Sequence, residues 1–281
     1  MTVKVVTDTS ADLPIGFAEE AGVTIVPLYV RFGEEIFRMG VDITDDEFYQ
    51  RLTRGPVHPT TIQPSPQDFV TVYRKLMQEG ASGIVSIHIS SKLSGTHNSA
   101  LQAKQEVGRG FPIEVIDSQS VTLGLGLIVV AAANAAKAGA NVQQVVEETK
   151  KAMSDYRMLG LFDTLKYLAL GGRIGKAKAL LGSVLNVKPM LTLKDGETVP
   201  AGQVRTRAKG INRLVEFAQS ATEIRDLTVG YNTTPDEANA LADRLSPLYK
   251  EKIKFAKIGP VLGVHGGPGI LLLAFRGKLK A

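Results

Sequence analysis

The chain has 281 residues, a net charge of +5 and no Cys, so disulfide frameworks, thiolate nucleophiles and Cys-ligated metals are excluded. Apolar residues make up 44% and charged residues 22%, which excludes a disordered chain, a collagen and a coiled coil. The length suits two α/β domains, because single cores stop growing near roughly 250–300 residues.

Val3–Thr7 reads as a β-strand ending in the cap and turn formers Asp8-Thr9-Ser10. Val23–Val30 reads as a second strand, with Pro27 marking an edge or an end. Thr44-Asp45-Asp46-Glu47 and Ser65-Pro66-Gln67-Asp68 each open a helix with a hydroxyl cap and a carboxylate at the third helical position. The second helix runs to about Glu79 and stops at Gly80. Gly83–Ile89 is an apolar strand, a helix runs from Ser94 to Val107, and Ile113–Ile116 is a strand. Helices follow over Val121–Ala138 and Asn141–Met153. This order predicts an N-terminal α/β domain with a mainly parallel sheet and polar loops at the strand C-termini.

After Asp155 the texture changes, and the domain boundary is set at 157/158, giving domains of 1–157 and 158–281. Leu159–Phe162 reads as a strand, Asp163–Leu170 as a short helix and Lys176–Leu185 as a small-residue helix. Lys188–Leu193 and Thr198–Val204 flank an Asp195-Gly196 hairpin. Helices over Arg207–Ala221 and Pro235–Leu245 alternate with strands over Leu227–Tyr231, Lys252–Lys257 and Ile270–Phe275, a C-terminal α/β domain with a mixed sheet. The start shows no apolar leader, and the apolar run Val121–Ala136 falls short of the roughly 20 residues of a bilayer span. The expectation is a cytoplasmic protein without stable membrane insertion.

Three loops are rich in hydroxyls or glycine: Pro59–Ser65, Ser90–Thr96 and Gly259–Gly269. Free N–H groups at a helix start, with Ser or Thr hydroxyls, hold a carboxylate or phosphate without any lysine. Taken singly, Thr61 or Ser94 is more often a plain helix cap. His265 between glycines displays a titratable imidazole on a permissive backbone. From Lys166 to Arg213, ten basic residues face only Asp195 and Glu197, so this stretch is +8 and the rest of the chain −3. That excess suits an anionic ligand or an acidic partner, or simply a solvated face. Arg173 follows two glycines, and Arg205-Thr206-Arg207 opens a helix, both suited to anions. The histidines form no zinc pairing, and the chain has no GxSxG elbow and no Walker sequence, so no catalytic or metal residue is assigned.

Together these segments resemble the DegV family along nearly the whole chain. Val5–Pro14 is similar to its opening strand and turn, Thr60–Ser65 to its T-S-Q-P-S loop, and Ser90–Thr96 with Asn98-Ser99-Ala100 to its S-S-x-L-S-G-T-x-x-S-A loop and helix. Asp117-Ser118, Gly124-Gly126, Leu168–Ile174, Arg205–Arg207 and the His265 loop follow in the family's order. The resemblance implies a two-domain fold holding a long-chain fatty acid such as palmitate or stearate in an apolar tunnel. It implies a carboxylate held by Thr61 and Ser94 at the Ser94-Gly95-Thr96 turn, with His265 nearby and Arg173 and Arg205 near the rim. It further implies that Arg205 and Arg207 dock a separate ATP-dependent fatty acid kinase, which makes the acyl phosphate for phospholipid synthesis, so the chain is a carrier and not an enzyme and takes no cofactor. Two positions depart from the pattern: Ile62 stands where the loop has Ser, and His97 where an aromatic is common. The rival readings are an acyl hydrolase with Ser94 as nucleophile and, on the basic stretch alone, a nucleic-acid-binding regulator.

Overall fold

The computed structural model describes residues 2–108, 110–180 and 187–280. The sequence reading places residues 181–185 in a helix; they lie outside the described residues. The N-terminal half holds a four-stranded parallel sheet built from β1 (Val3–Asp8), β2 (Thr24–Val26), β6 (Gly83–His88) and β7 (Ile113–Asp117), in the order β2-β1-β6-β7. β1 connects to one flank and β6 to the other, so the order reverses between them. In open α/β sheets the crevice at such a reversal is where ligands bind.

The strands alternate. Val3, Val5, Val85 and Ile87 join one core, while Val6 and Ile84 join the other. The second core is covered by α3 (Pro66–Gln78) and α4 (Thr96–Val107), the first by α5 (Thr122–Lys137) and α6 (Val142–Asp155). A short helix, α1 (Phe17–Ala21), links β1 to β2.

The expected single strand Val23–Val30 is two strands in two sheets. Pro27 separates β2 from β3 (Tyr29–Phe32), which is the middle strand of a small antiparallel sheet between β4 (Glu35–Arg38) and β5 (Thr60–Ile62). Proline lacks the N–H that would continue a ladder. α2 (Asp45–Arg54) packs beside this sheet through Phe48 and carries the expected capping box, with Thr44 and Glu47 exchanging bonds. The third glycine-rich stretch, read as a loop, contains a helix, α10 (Pro260–Gly266), opened by proline at its first position.

The second half is a six-stranded mixed sheet. It comprises β8 (Tyr156–Leu161), β9 (Lys188–Lys194), β10 (Glu197–Val204), β11 (Ala221–Tyr231), β12 (Lys254–Lys257) and β13 (Leu271–Leu279), in the order β10-β9-β8-β13-β11-β12. Only β11 and β12 run parallel. A division at 157/158 passes through β8; the break between α6 and β8 falls at Asp155–Tyr156. The hairpin turns at Asp195-Gly196, both at positive φ, as a two-residue type I′ turn requires.

α8 (Arg207–Gln219) and α9 (Pro235–Leu245) cover the outer face, where Leu271, Leu273 and Phe275 meet Leu214 and Leu241. The inner face turns Leu272 and Ala274 toward Leu123 and Leu127 of α5. α5 is thus a shared layer between the two sheets, with thirteen of its sixteen residues buried. A helix apolar all round is a core helix when protein surrounds it. Among the described residues no helix is long and apolar enough to cross a membrane.

Candidate functional site

The loops after β2, β6 and β7, the edge strand β5 and helix α10 converge on one cavity of about 100 Å³. Thr61, Gln63, Ser94, Arg173 and His265 supply polar groups, and Leu28, Ile89, Val121, Leu168, Val261 and Leu262 supply apolar wall. Thr61 pairs with Val30 across the ladder. Its Oγ1 lies 3.1 Å from Nε2 of His265, which comes from the other half of the chain.

The imidazole is 9% exposed. Its Nδ1 is buried with no hydrogen-bond partner, because the ring packs against Gly171, where any Cβ would collide with it. Burial, then the neighbouring Arg173 charge and then His58, push the His265 pKa down to about 4. The ring is therefore neutral at pH 7, with one nitrogen engaged and the other idle. His58 nearby leans on Tyr167, with ring centroids 5.7 Å apart, and its pKa is lowered by burial and by Lys166.

Ser94 faces the cavity from the turn before α4. Its Oγ lies 2.8 Å from Thr96 Oγ1 and accepts the Thr96 N–H at 3.3 Å. α4 accordingly starts at Thr96, not at Ser94, and aims its N-terminal end toward the site. Gly95 and Thr96 do not line the cavity but shape it. Thr96 fixes the Ser94 hydroxyl, and Gly95 leaves room for Gln63, whose Oε1 any Cβ there would strike. Gln63 in turn donates to Ser99 Oγ at 3.2 Å.

Gln63 and Thr198 are the polar lining groups that the sequence reading missed. The reading of Pro59–Ser65 as a loop hid Gln63: with Thr60–Ile62 in β5, the alternation of strand side chains brings Thr61 and the following Gln63 to one face. The same alternation turns Ile62 away from the cavity, so its replacement of Ser leaves the polar lining unchanged.

Arg173 crosses the cavity mouth. Its Nε donates to Leu93 O at 3.1 Å, and its Nη1 to Gly171 O at 2.8 Å. Arg205 is exposed at the far end of β10 from Thr198, on the order of 20 Å along the strand, and so is not at the rim. Arg207 is committed internally. Its guanidinium bonds both carboxylate oxygens of Glu237 and Oδ1 of Asp163, and is 19% exposed. Lys188–Asp163, Lys176–Glu197 and Arg213–Glu216 pairs absorb more of the basic stretch. His97 is half-buried on the first turn of α4, and burial lowers its pKa.

No imidazole lies within hydrogen-bonding distance of Ser94 among the described residues. A Ser–His–Asp alignment does occur elsewhere: Ser86 Oγ lies 2.7 Å from His88 Nε2, and His88 Nδ1 lies 2.9 Å from Asp8 Oδ2. All three side chains are fully buried in the parallel sheet, where no substrate reaches them. A larger open groove of about 740 Å³ lies between α8 and the six-stranded sheet, lined by Tyr156, Met158, Met190 and Phe217. None of the three hydroxyl and glycine segments reaches it. Among the described residues no group of three or more His, Asp or Glu is placed to hold a metal ion.

Comparison with known proteins gives a consistent result. The family model described as an uncharacterised protein of the DegV family matches residues 2–277. A DegV domain-containing protein of Streptomyces coelicolor is 40% identical over 274 residues, 96% of each chain. A DegV family protein of Thermus thermophilus, described by its fatty acid binding, superposes with a TM-score of 0.89 at 36% identity, covering 99% of this chain and 100% of that one. A stearic acid-binding protein of Eubacterium ventriosum superposes with a TM-score of 0.88 at 32% identity, covering 98% of both chains.

Proposed function

The chain belongs to the DegV family, and from that premise we propose that it binds a long-chain fatty acid and presents its carboxylate to a separate ATP-dependent kinase. The observation that carries this reading is the Thr61–His265 pair at the polar end of an apolar-walled cavity. With Nε2 protonated, His265 donates to Thr61 Oγ1 and leaves the threonine O–H free to donate into the cavity. Ser94 supplies a second hydroxyl, and the start of α4 adds favourable potential for an anion. Hydrogen bonds to a charged group contribute about 1.5–3 kcal/mol each, so two hydroxyls hold the head firmly.

The tail supplies the rest. Each buried CH₂ is worth about 0.8 kcal/mol before losses. The cavity of about 100 Å³ is smaller than the roughly 300–1,000 Å³ of ligand pockets. A long acyl chain therefore enters by displacing side chains such as Leu28, Leu93, Leu168 and Leu262. Among the described residues no imidazole engages Ser94, whose hydroxyl is instead paired with Thr96, which suits a carrier: the phosphoryl transfer is left to the partner. Arg173, at the mouth, is the docking and charge-neutralising group this geometry favours.

Mass spectrometry of the protein purified without detergent, native and then denatured, tests the reading. A stoichiometric released fatty acid supports it and gives the chain length. A protein that stays free of lipid after incubation with C14–C18 fatty acids overturns it.

A further inference from the structure

One buried carboxylate takes no part in the head-group contacts. Asp12 follows the short turn after β1, with φ 39 and ψ 57. Its Oδ2 accepts the Thr122 hydroxyl at 2.6 Å, and its Oδ1 accepts the Gly259 N–H at 2.9 Å. Thr122 opens α5, and Gly259 caps α10. A single side chain thus joins three segments that are far apart in sequence.

A second grip comes from α2. Tyr49 donates its hydroxyl to Ile258 O at 3.0 Å, and α2 touches α10 at Gly263, where a Cβ would lie 2.5 Å from Phe48 Cε1 and 2.7 Å from Tyr49 Oη. The other end of α10 is held by Asn232, which donates to Gly267 O at 2.8 Å and to Tyr49 Oη at 3.2 Å.

α10 has seven residues, two of them glycine. Isolated helices under about 12–15 residues are marginal in water, so its place is set by what holds it. It carries His265, which must meet Thr61 of the other half at 3.1 Å.

We infer that Asp12, assisted by Tyr49, is a positioning residue: it anchors the start of α10 so that His265 engages Thr61, and so governs how firmly the head-group is held. The consequence for the ligand rests on the fatty-acid reading, but the geometry does not. Burial drives the Asp12 carboxyl up to about 7, so the site keeps an acid there at a cost in stability. What the position requires is an acceptor aimed at Gly259. Asn supplies one, and the Thr122 hydroxyl can turn to accept from the new amide. Ala supplies nothing.

The test is NMR of the four imidazoles in protein labelled at histidine, with fatty-acid dissociation measured in parallel. In Asp12→Ala the His265 resonances should shift while those of His88, in the parallel sheet, stay put. Dissociation should quicken about tenfold, the loss of roughly one such hydrogen bond. Asp12→Asn should restore both within about twofold. Unmoved His265 resonances in folded Asp12→Ala, or an Asn variant as impaired as the Ala variant, overturn the inference. Should Asp12→Ala lose the His88 signals as well, Tyr49→Phe removes the hydroxyl that donates to Ile258 O and accepts from Asn232 Nδ2, and must shift His265 alone. A silent His265 there, or a second loss of fold, also overturns it. If the wild-type protein binds no fatty acid, the functional reading falls, while the imidazole shifts still decide the positioning role.

Discussion

Two buried histidines show what separates structure from function here. His88 lies at the end of β6 with both nitrogens engaged, Nδ1 by Asp8 and Nε2 by Ser86, which also accepts the Tyr73 hydroxyl at 2.8 Å. Asp8 is itself saturated: Oδ2 also accepts the Ile89 N–H, and Oδ1 the N–H and hydroxyl of Ser10. His265 has one nitrogen on Thr61 and one with no partner, and it borders a cavity. A polar group with all its bonds made fixes a fold. One left short of a partner carries a desolvation cost that an incoming ligand relieves. The residues that resemble a catalytic triad form the inert knot, and the lone imidazole marks the site.

The largest effect expected from this contrast is on stability. His88→Ala leaves the Asp8 carboxylate buried beside a void, a loss of about 3–5 kcal/mol. His265→Ala borders space already and should cost about 1 kcal/mol. Urea denaturation of both variants measures the gap. Equal losses would break the comparison.

Next comes retention of ligand. Thr61→Val with Ser94→Ala removes both hydroxyls proposed to hold the head-group, and each is worth about tenfold or more in affinity for a carboxylate. Their combined loss should leave the purified protein lipid-free by denaturing mass spectrometry, with stability changed by less than in His88→Ala. Undiminished lipid in the double variant would falsify the head-group assignment.

The pH behaviour sharpens the same contrast. His265 is lowered to about 4 in the folded protein from an ordinary 6.5. The unfolded chain therefore binds the extra proton between those values, and stability falls as pH drops from about 6.5 to about 4. Asp12 works in the opposite sense. Its carboxyl is raised from 3.8 to about 7, so the folded protein binds the extra proton, and stability falls as pH rises through that range. His265→Ala should lose the first slope and Asp12→Asn the second. Imidazole titration by NMR should place the His265 midpoint near 4, and higher in Arg173→Ala, where a neighbouring cation is gone.

Much of this was legible in the sequence, for identifiable reasons. Capping boxes at Thr44 and Ser65 announced their helices because the cap is local chemistry. The Asp195-Gly196 turn gave the hairpin because left-handed φ is a property of those residues. His265 stood out as an imidazole between glycines, whereas Thr61 and Ser94 stood out only through the resemblance to the DegV loops, since taken singly each reads as a helix cap. The knot at Asp8 and the anchor at Asp12 were not legible. Both had the look of turn residues, and their partners His88 and Gly259 lie 80 and 247 positions away. Helix α10 was hidden by its glycines, which disfavour helix locally and are tolerated only because Phe48 and Tyr49 press against Gly263. The fate of Arg207 was hidden for a like reason, since Glu237 and Asp163 claim it only in three dimensions.

The smallest effect separates two arginines that the sequence placed together. Arg173 lies over the cavity mouth with two of its donors on backbone carbonyls of Leu93 and Gly171. Arg205 stands exposed a strand's length away. If the acyl phosphate forms at the mouth, Arg173→Ala should slow phosphorylation by the fatty acid kinase about tenfold or more, as loss of a charge-assisted contact does. Arg205→Ala removes at most a peripheral contact, worth less than about 1 kcal/mol when exposed, and should slow it no more than a few-fold. Raising the salt should erase the Arg205 effect first, because exposed charges more than about 8–10 Å from their partners are screened at physiological ionic strength. A larger loss in Arg205→Ala than in Arg173→Ala would move the docking surface from the cavity mouth to the far end of β10.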